Sequence, residues 1–329
     1  MRIGIVGAGA LGTLLGHAIC RAGGRVTLVD RPERVAAIAA AGGLVVEDPE
    51  GRRSVAVPEC VTDNPGAAGV LDFVFLATKA HDLPTLAGSL APLLGRESCC
   101  VTVQNGIPWW YFHGLDHPYA GHRLASVDPH GLLERHIDAS RVVGCVAYPA
   151  AILRADGSVK HVEGHRFPVG EVDGQERPRT LRLAQILGDA GFRSRVLRDI
   201  RSEIWLKALG ALSINPISAL TRATMADICT FAPTREVVAR MMSEAREIAE
   251  ALGASFRHTV EERIEGARAV GGHKTSMLQD VENRRPMELD ALMASVLELA
   301  ELTGRRADAI RTVHACAALL NQQIIAAAR

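Results

Sequence analysis

A glycine-rich loop near the start of the chain most constrains what this sequence can fold into. The run "RIGIV" at residues 2–6 is typical of a strand, "ALGTLLGHAICRAG" has helical periodicity, and "RVTLVD" is again typical of a strand. The loop between the first two has the pattern G-x-G-x-x-G and consists of Gly7, Ala8, Gly9, Ala10, Leu11 and Gly12. In such a loop the glycines permit a tight turn, close approach of a pyrophosphate and close helix packing. The pattern predicts a βαβ unit that binds a dinucleotide.

The end of the second strand carries residues that bear on the type of cofactor. Asp30 follows this strand at the spacing usual for an acid that binds ribose hydroxyls. A carboxylate there repels a 2′-phosphate, whereas Arg31 and Arg34 just beyond it could bind one. We expect NADP as the cofactor, with NAD as the alternative.

The alternation of strands and helices continues and then stops. Strand patterns at "LDFVFLA" and "SCCVTVQNG" flank a helix-like "LPTLAGSLAPLL", and "GLVVEDPEGRRSVAV" reads as an inserted hairpin. From Asp199 onward nearly every segment has helical periodicity. We predict an α/β protein in which an N-terminal Rossmann-type parallel-sheet domain, residues 1–197, binds the dinucleotide. An all-helical domain, residues 198–329, follows it and carries substrate binding and catalysis.

Composition narrows the class of partner. The 37 acidic and 37 basic residues cancel, so no net field attracts nucleic acid or an anionic membrane. Seven cysteines without a C-x-x-C pair indicate buried thiols in a reducing compartment. The first residues show no signal-peptide pattern, and no apolar run reaches the roughly 20 residues of a membrane span. We expect a cytoplasmic protein with a small-molecule substrate, and the sequence leaves its oligomeric state open, with a homodimer as one candidate.

One lysine stands in the middle of an apolar helical stretch, "IWLKALGALSINPIS". Only four of the 37 basic residues are lysine, and lysine, unlike arginine, can release a proton when it is desolvated. Lys207, Ala211 and Asn215 are spaced i, i+4, i+8 and share one helix face. Lys207 is therefore a candidate proton donor to a carbonyl oxygen. The alternative is a lysine whose stem packs while its ammonium group reaches water.

Five ordered motifs resemble the ketopantoate reductase family, 2-dehydropantoate 2-reductases, over nearly the whole chain. They are "GIVGAGALG", "ATKAHD", "VQNG", "EIWLKALGALSINPISALT" and "HKTSMLQDVENRRPMELD". The resemblance implies a Rossmann domain, a helical domain and reduction of a 2-keto acid to a 2-hydroxy acid with NADPH, as in pantothenate biosynthesis.

The resemblance also implies roles for particular residues. Lys207 would be the general acid, and Glu288 its carboxylate partner and a substrate ligand. Asn105, Asn215 and Ser276 would bind the substrate. Lys79 would lie beside the nicotinamide ribose, and we place Asn105 at the cofactor as well.

Two departures from the family pattern bear on the substrate. Family members commonly have asparagine where this chain has Ala211, so one substrate hydrogen bond is either missing or supplied by another residue. The run "NGIPWWYFHG" also places four aromatic residues, 109–112, just after Asn105. These rings could line a pocket for a bulkier 2-keto acid, which would make ketopantoate a poor substrate. The alternative interpretation is that the rings pack into the core.

Other functions stay open at this point. A 3-hydroxy-acid dehydrogenase uses a similar helix lysine, though normally with asparagine four residues on. A catalytically silent cofactor-binding sensor is a third possibility, against which Lys207, Asn105 and Glu288 argue. We expect no metal site, because hydride transfer to a keto acid needs none if a lysine supplies the proton.

Overall fold

The computed structural model describes residues 1–327. In chain order, the strands of this part of the chain are β1 (Arg2–Val6), β2 (Arg25–Val29), β3 (Leu44–Glu47), β4 (Arg53–Ala56), β5 (Cys60–Thr62), β6 (Leu71–Leu76), β7 (Leu94–Thr102), β8 (Val142–Cys145), β9 (Ala150–Leu153), β10 (Val159–Glu163) and β11 (Val169–Glu171).

The α-helices of the same residues are α1 (Ala10–Arg21), α2 (Pro32–Ala40), α3 (Pro65–Ala68), α4 (Leu83–Leu86), α5 (Leu132–His136), α6 (Pro178–Asp189), α7 (Ile200–Thr221), α8 (Met225–Thr230), α9 (Ala232–Ala251), α10 (Val260–Ala269), α11 (Ser276–Glu282), α12 (Ser295–Thr303) and α13 (Asp308–Ala327). Short 3₁₀-helices span Ala80–Asp82, Ala87–Leu93 and Ala139–Arg141, and a π-helix spans Asp290–Ala294. None of the helices described here combines the length and the apolar character needed to cross a bilayer.

Seven strands form one sheet in the order β5-β2-β1-β6-β7-β8-β11. Neighbouring strands are parallel except β8 and β11, which pair antiparallel. The chain moves outward from β1 through β2 to β5, and then returns to β6 on the other side of β1. Ligands of open α/β sheets bind beyond the carboxyl ends of the strands at such a reversal point. With the helical C-terminal region, this sheet confirms the predicted fold class.

A second, smaller sheet contains the predicted hairpin. Strands β3 and β4 pair antiparallel, but β3 also pairs in parallel with β10, giving the order β4-β3-β10-β9. The hairpin is local and could be predicted from its sequence. Its pairing with β10, a strand more than 100 residues later, depends on tertiary structure, and no local pattern predicts it.

The main apolar core of the large sheet lies against α1 and α6. Ile5, Leu15, Phe75 and Phe167 are among its fully buried side chains. Strand β6, "LDFVFL", is apolar at five of its six positions and buried at those five. Near-continuous apolar runs of this kind are expected where helices cover both faces of a parallel sheet.

The chain packs as two compact units. The first consists of Met1–Gln104, Trp110–Arg123 and His130–Ile200. The second consists of Asn105–Trp109, Leu124–Pro129 and the chain from Arg201 onward. Two short segments between β7 and α5 thus pack with the helical unit, which no feature of the sequence had indicated. The binding roles that we assigned to residues 1–197 and 198–329 stay predictions.

The segment "LPTLAGSLAPLL" differs from the helix predicted for it. It forms the four-residue α4 and then a 3₁₀-helix, Ala87–Leu93, that contains Pro92. Proline lacks the N–H of an α-helical hydrogen bond and clashes with the preceding turn, so the α-helix cannot continue through this position.

A buried carboxylate fixes the edge of the large sheet. Glu171, on β11, is fully buried and accepts hydrogen bonds from Arg177, Arg179 and Thr180. Both arginine side chains are partly exposed, at 38% and 26%. These two ion pairs therefore join the desolvated carboxylate of Glu171 to guanidinium groups that are partly in contact with water.

Removing this carboxylate should destabilise the first unit. We expect Glu171→Ala to cost about 3 kcal/mol, the lower end of the range for breaking a buried ion pair, because the freed arginines can be hydrated. That corresponds to a fall in Tm of roughly 6–12 °C, measured by thermal denaturation. Glu59→Ala is the matched control, since Glu59 pairs with Arg25 at 2.6 Å but is 42% exposed. Equal shifts in Tm for the two variants would contradict this assignment.

Candidate active site

The glycine loop lies at the carboxyl end of β1, where the strand order reverses. Gly7 has φ +98°, and a Cβ on it would lie 2.7 Å from the Thr78 backbone nitrogen. A Cβ on Gly12 would lie 1.8 Å from the Gly7 carbonyl oxygen. Both positions therefore exclude every side chain, because real Cβ atoms are not found so close to backbone. These glycines hold the loop against the chain that follows β6.

Gly9 differs from the other two glycines because the space above it is open. A Cβ there would meet no atom within 4 Å, and Gly9 is the N-cap of α1 without a side-chain cap. The first N–H groups of a helix lack partners within the helix, and the helix dipole favours an anion beside them. The pyrophosphate of a dinucleotide fits this combination of open space and helix terminus.

Asp30, predicted to bind ribose, is engaged with the loop backbone. Its carboxylate accepts hydrogen bonds from the backbone N–H of Ala8 and, at 2.6 Å, from that of Arg31. The side chain is only 12% exposed. The Arg31 side chain is 87% exposed, with its Nε 3.8 Å from Asp30 Oδ1. At the end of β2 the negative charge is therefore held inward and the positive charge faces solvent.

Arg34, the second candidate for a phosphate ligand, braces the loop. Its guanidinium donates to the carbonyl oxygens of Ala8 at 2.8 Å and Gly157 at 2.9 Å, and to Thr13 Oγ1 at 2.9 Å. Burial lowers the pKa of Arg34, and the Asp30 carboxylate opposes that shift. The sequence offered both arginines as possible phosphate ligands, and only tertiary contacts show that the Arg34 side chain is engaged by the loop whereas that of Arg31 is exposed.

The segment after β6 carries Lys79 and a residue that the sequence analysis overlooked. Lys79 is half-buried and precedes the Ala80–Asp82 3₁₀-helix as its N-cap. The Thr78 hydroxyl oxygen, next to it, is buried and has no hydrogen-bond partner among the described residues. Thr78 was part of the motif "ATKAHD", but nothing in the motif indicates that its backbone touches Gly7.

The helix face predicted around Lys207 exists in α7. Lys207, Ala211 and Asn215 are all half-buried, while Trp205, Leu212 and Ile214 on the same helix are fully buried. The buried residues of the helix anchor it in the second unit, and its half-buried positions form a partly open face that also includes Leu206 and Gly210. The i, i+4, i+8 spacing therefore indicated a real face.

Lys207 donates a hydrogen bond from Nζ to Asn105 Oδ1, at 2.6 Å. The two residues are 102 positions apart in the chain. Asn105 lies in the short Asn105–Trp109 segment that packs with the helical unit, which is why the two side chains meet. The sequence analysis selected both residues but could not predict that they touch.

The remaining predicted ligands lie in the same unit. Asn215 is half-buried, and Ser276 is the exposed first residue of α11. Within residues 1–327, neither side chain hydrogen-bonds to another protein group, so both are available to a ligand. Glu288 is half-buried and lies two residues before the Asp290–Ala294 π-helix.

The aromatic run packs into the interior. Residues 109–112 are between 0% and 7% exposed. The Trp110 indole donates to Thr102 Oγ1 at 3.1 Å, and Tyr111 and Phe112 stack edge to face with ring centroids 5.1 Å apart. These contacts favour core packing over the lining of a pocket for a bulkier substrate.

A second segment of the helical unit is held by a residue that the sequence analysis missed. The Glu298 carboxylate, on α12, accepts from the backbone N–H groups of Ala125 at 2.8 Å and Ser126 at 2.9 Å, and from Ser126 Oγ at 2.6 Å. No local pattern marks Glu298, since its partners lie about 170 residues earlier.

No group of three or more His, Cys, Asp or Glu side chains in residues 1–327 is arranged to hold a metal ion.

Comparison with known proteins places these features in a family. Residues 3–174 match the family model for ketopantoate reductase PanE/ApbA, and residues 199–321 match the model for its C-terminal domain. A 2-dehydropantoate 2-reductase of Mesorhizobium japonicum is 46% identical over 314 residues, which are 95% of each chain.

Solved structures share the fold over almost the entire chain. A candidate ketopantoate reductase from Ralstonia solanacearum MolK2 superposes with a TM-score of 0.92 and 34% identity over 98% of each chain. A ternary structure of D-mandelate dehydrogenase with NADH and anilino(oxo)acetate has a TM-score of 0.83 over 98% of this chain and 99% of that one. Its identity is 20%, so that likeness concerns the fold alone. The two family models and the 46% identical relative together establish that the chain belongs to the ketopantoate reductase family of oxidoreductases.

Proposed function

We propose that this protein reduces 2-dehydropantoate (ketopantoate) to pantoate with NADPH. The observation that carries this proposal is the 2.6 Å hydrogen bond from Lys207 Nζ to Asn105 Oδ1, which joins two of the motifs that match the family. The 46% identical relative is a 2-dehydropantoate 2-reductase, which supports the same substrate.

Lys207 is the proton donor in this proposal. An ammonium group carries three N–H donors, and the bond to Asn105 uses one of them. Lys207 can therefore hold Asn105 and a substrate carbonyl oxygen at the same time. When bound, the dihydronicotinamide supplies the hydride that C2 of the keto acid accepts. Lys207 then gives its proton to the carbonyl oxygen, which becomes the product hydroxyl.

The other polar residues of the helical unit orient the substrate. Ketopantoate has a carboxylate beside the C2 carbonyl and a terminal hydroxyl group. The unpaired side chains of Asn215 and Ser276 can donate to the carboxylate, and Glu288 can accept from the hydroxyl group. Asn105 fixes the Lys207 ammonium from one side. Ala211 contributes no hydrogen bond, so orientation rests on these four residues.

The glycine loop and its surroundings hold the cofactor. The N-terminus of α1 at Gly9 would take the pyrophosphate, and we assign Lys79 to the nicotinamide ribose. Asp30 already accepts two backbone hydrogen bonds, while Arg31 is 87% exposed beside it. A guanidinium can bind a 2′-phosphate with two hydrogen bonds, so this arrangement supports NADPH over NADH.

The substrate assignment is tested by comparing keto acids that differ in one group. We expect the kcat/KM for ketopantoate to exceed that for trimethylpyruvate, which lacks only the terminal hydroxyl group, by at least about 100-fold. A site that hydrogen-bonds a substrate hydroxyl strongly rejects the analogue without it. Phenylglyoxylate is the bulky comparison. If its kcat/KM exceeded that of ketopantoate, a larger keto acid would be the substrate instead.

The cofactor assignment is tested at Arg31. We expect Arg31→Ala to weaken NADPH binding by about 10- to 100-fold and to leave NADH binding within about twofold, because a charged hydrogen bond to phosphate is lost. Dissociation constants of both reduced cofactors would be measured by fluorescence titration. Arg96→Ala is the control, since Arg96 is 95% exposed near the opposite end of the sheet, early in β7. Equal weakening of both cofactors by Arg31→Ala would remove the argument for a 2′-phosphate contact.

The role of Lys207 is tested by two substitutions. Lys207→Ala should lower kcat by about 10²- to 10⁴-fold, the range for a positioned general acid, with NADPH affinity unchanged. Lys207→Arg should recover little activity, because arginine keeps the charge but cannot readily release a proton. Lys160→Ala, on β10 in the first unit, controls for the loss of a lysine. A Lys207→Ala enzyme within threefold of the parent kcat would show that Lys207 is not the proton donor.

A further inference from the structure

The segment that carries Asn105 is tied to an irregular turn of the helical unit. The backbone N–H of Ile107 donates to the carbonyl oxygen of Ala291 at 2.8 Å. Ala291 is 3% exposed and belongs to the π-helix Asp290–Ala294, which leads directly into α12. π-turns inside α-helices occur mostly as single turns and often at functional sites.

The π-turn explains why this carbonyl can accept a bond from outside the helix. In an α-helix the Ser295 N–H would donate to the Ala291 oxygen, four residues earlier. Here the Ser295 N–H donates to Asp290, five residues earlier. The Ala291 oxygen receives Ile107 N–H and, at 2.7 Å, the Ser295 hydroxyl, which is fully buried. The shift in helix hydrogen bonding thus frees an acceptor for the Asn105 segment.

Gly106 allows the close approach that this bond needs. It has φ +86°, and a Cβ on it would lie 2.0 Å from the Ala291 oxygen and 2.3 Å from the Ala291 carbonyl carbon. These are backbone atoms of a buried turn and cannot rotate away as a flexible side chain could. Any residue other than glycine would therefore push the segment off the turn and move Asn105, its immediate neighbour.

We propose that the π-turn at Asp290–Ala294, together with Gly106 and Ser295, is the positioning element that holds Asn105 against Lys207. This inference rests on the proposed function of that pair. A side chain on a loop needs a rigid support to keep productive geometry, and a displacement of about 1 Å can cost roughly 100-fold in rate. Because the same turn begins two residues after Glu288, it also fixes the end of the segment that carries this candidate ligand.

The test is a double-mutant cycle in the full-length protein. Gly106→Ala should lower kcat/KM for ketopantoate by about 10- to 100-fold, mainly through kcat, with NADPH affinity within about twofold of the parent. In an Asn105→Ala background the same substitution should cost less than about threefold, because a positioning residue has nothing left to position. Equal losses in both backgrounds would overturn the proposal.

Gly253→Ala is the matched control. Gly253 has φ +85°, almost that of Gly106, and lies in the same unit, but a Cβ there meets no atom within 4 Å. It therefore reproduces the backbone strain without the clash, and should change kcat/KM by less than about twofold. A loss equal to that of Gly106→Ala would assign the effect to general strain and overturn the proposal.

Further variants allow the proposal to be tested even if Gly106→Ala fails to fold. If Gly106→Ala does not fold, Ser295→Ala replaces it, with an expected loss in kcat/KM of about threefold to tenfold in the parent and none in the Asn105→Ala background. A loss of the same size in both backgrounds overturns the proposal.

The single variants Asn105→Ala and Lys207→Ala are also measured. If both keep the parent kcat, the proposed function and this inference are both wrong. If both lose activity and the cycle is additive, only the positioning role falls.

Discussion

The close approach of two backbone segments at Gly7 is the constraint on which the first unit depends. Gly7 and Gly12 leave no room for a Cβ, so the loop after β1, the start of α1 and the chain after β6 press against one another. That packing leaves Gly9 open at an uncapped helix terminus. A surface for an anion thus results from the exclusion of side chains at its two neighbours, without any net positive charge on the chain.

Asp30, Arg31 and Arg34 lie near this loop but differ in their contacts. Asp30 and Arg34 are turned toward the loop backbone, where each satisfies main-chain groups that would otherwise be costly to bury. Arg31 alone of the three faces solvent. The two arginines are three residues apart, yet Arg34 donates to the loop backbone and Arg31 faces solvent. The difference between the two arginines lies in their burial and not in their residue type.

The helical unit brings together groups from distant parts of the chain. Lys207 lies on the long helix α7, whereas Asn105 lies on the connection that leaves β7. Two devices hold that connection: the Ala291 carbonyl in the π-turn and the Glu298 carboxylate on α12. The π-turn and α12 form one continuous helical stretch. A single element therefore holds both segments of the connection that pack with the helical unit, residues 105–109 and 124–129.

By itself the sequence determined the α/β class, the glycine loop, the helical C-terminal region and the helix face of Lys207 and Asn215. These depend on periodicity and on short motifs, whose physics is local. Tertiary structure alone decided the contact between Lys207 and Asn105, the packing of residues 105–109 with the helical unit, and the different burial and contacts of Arg31 and Arg34. It also decided that the aromatic residues 109–112 are core residues. Each of these depends on which distant groups meet, and on how much water they lose, and a linear pattern encodes neither.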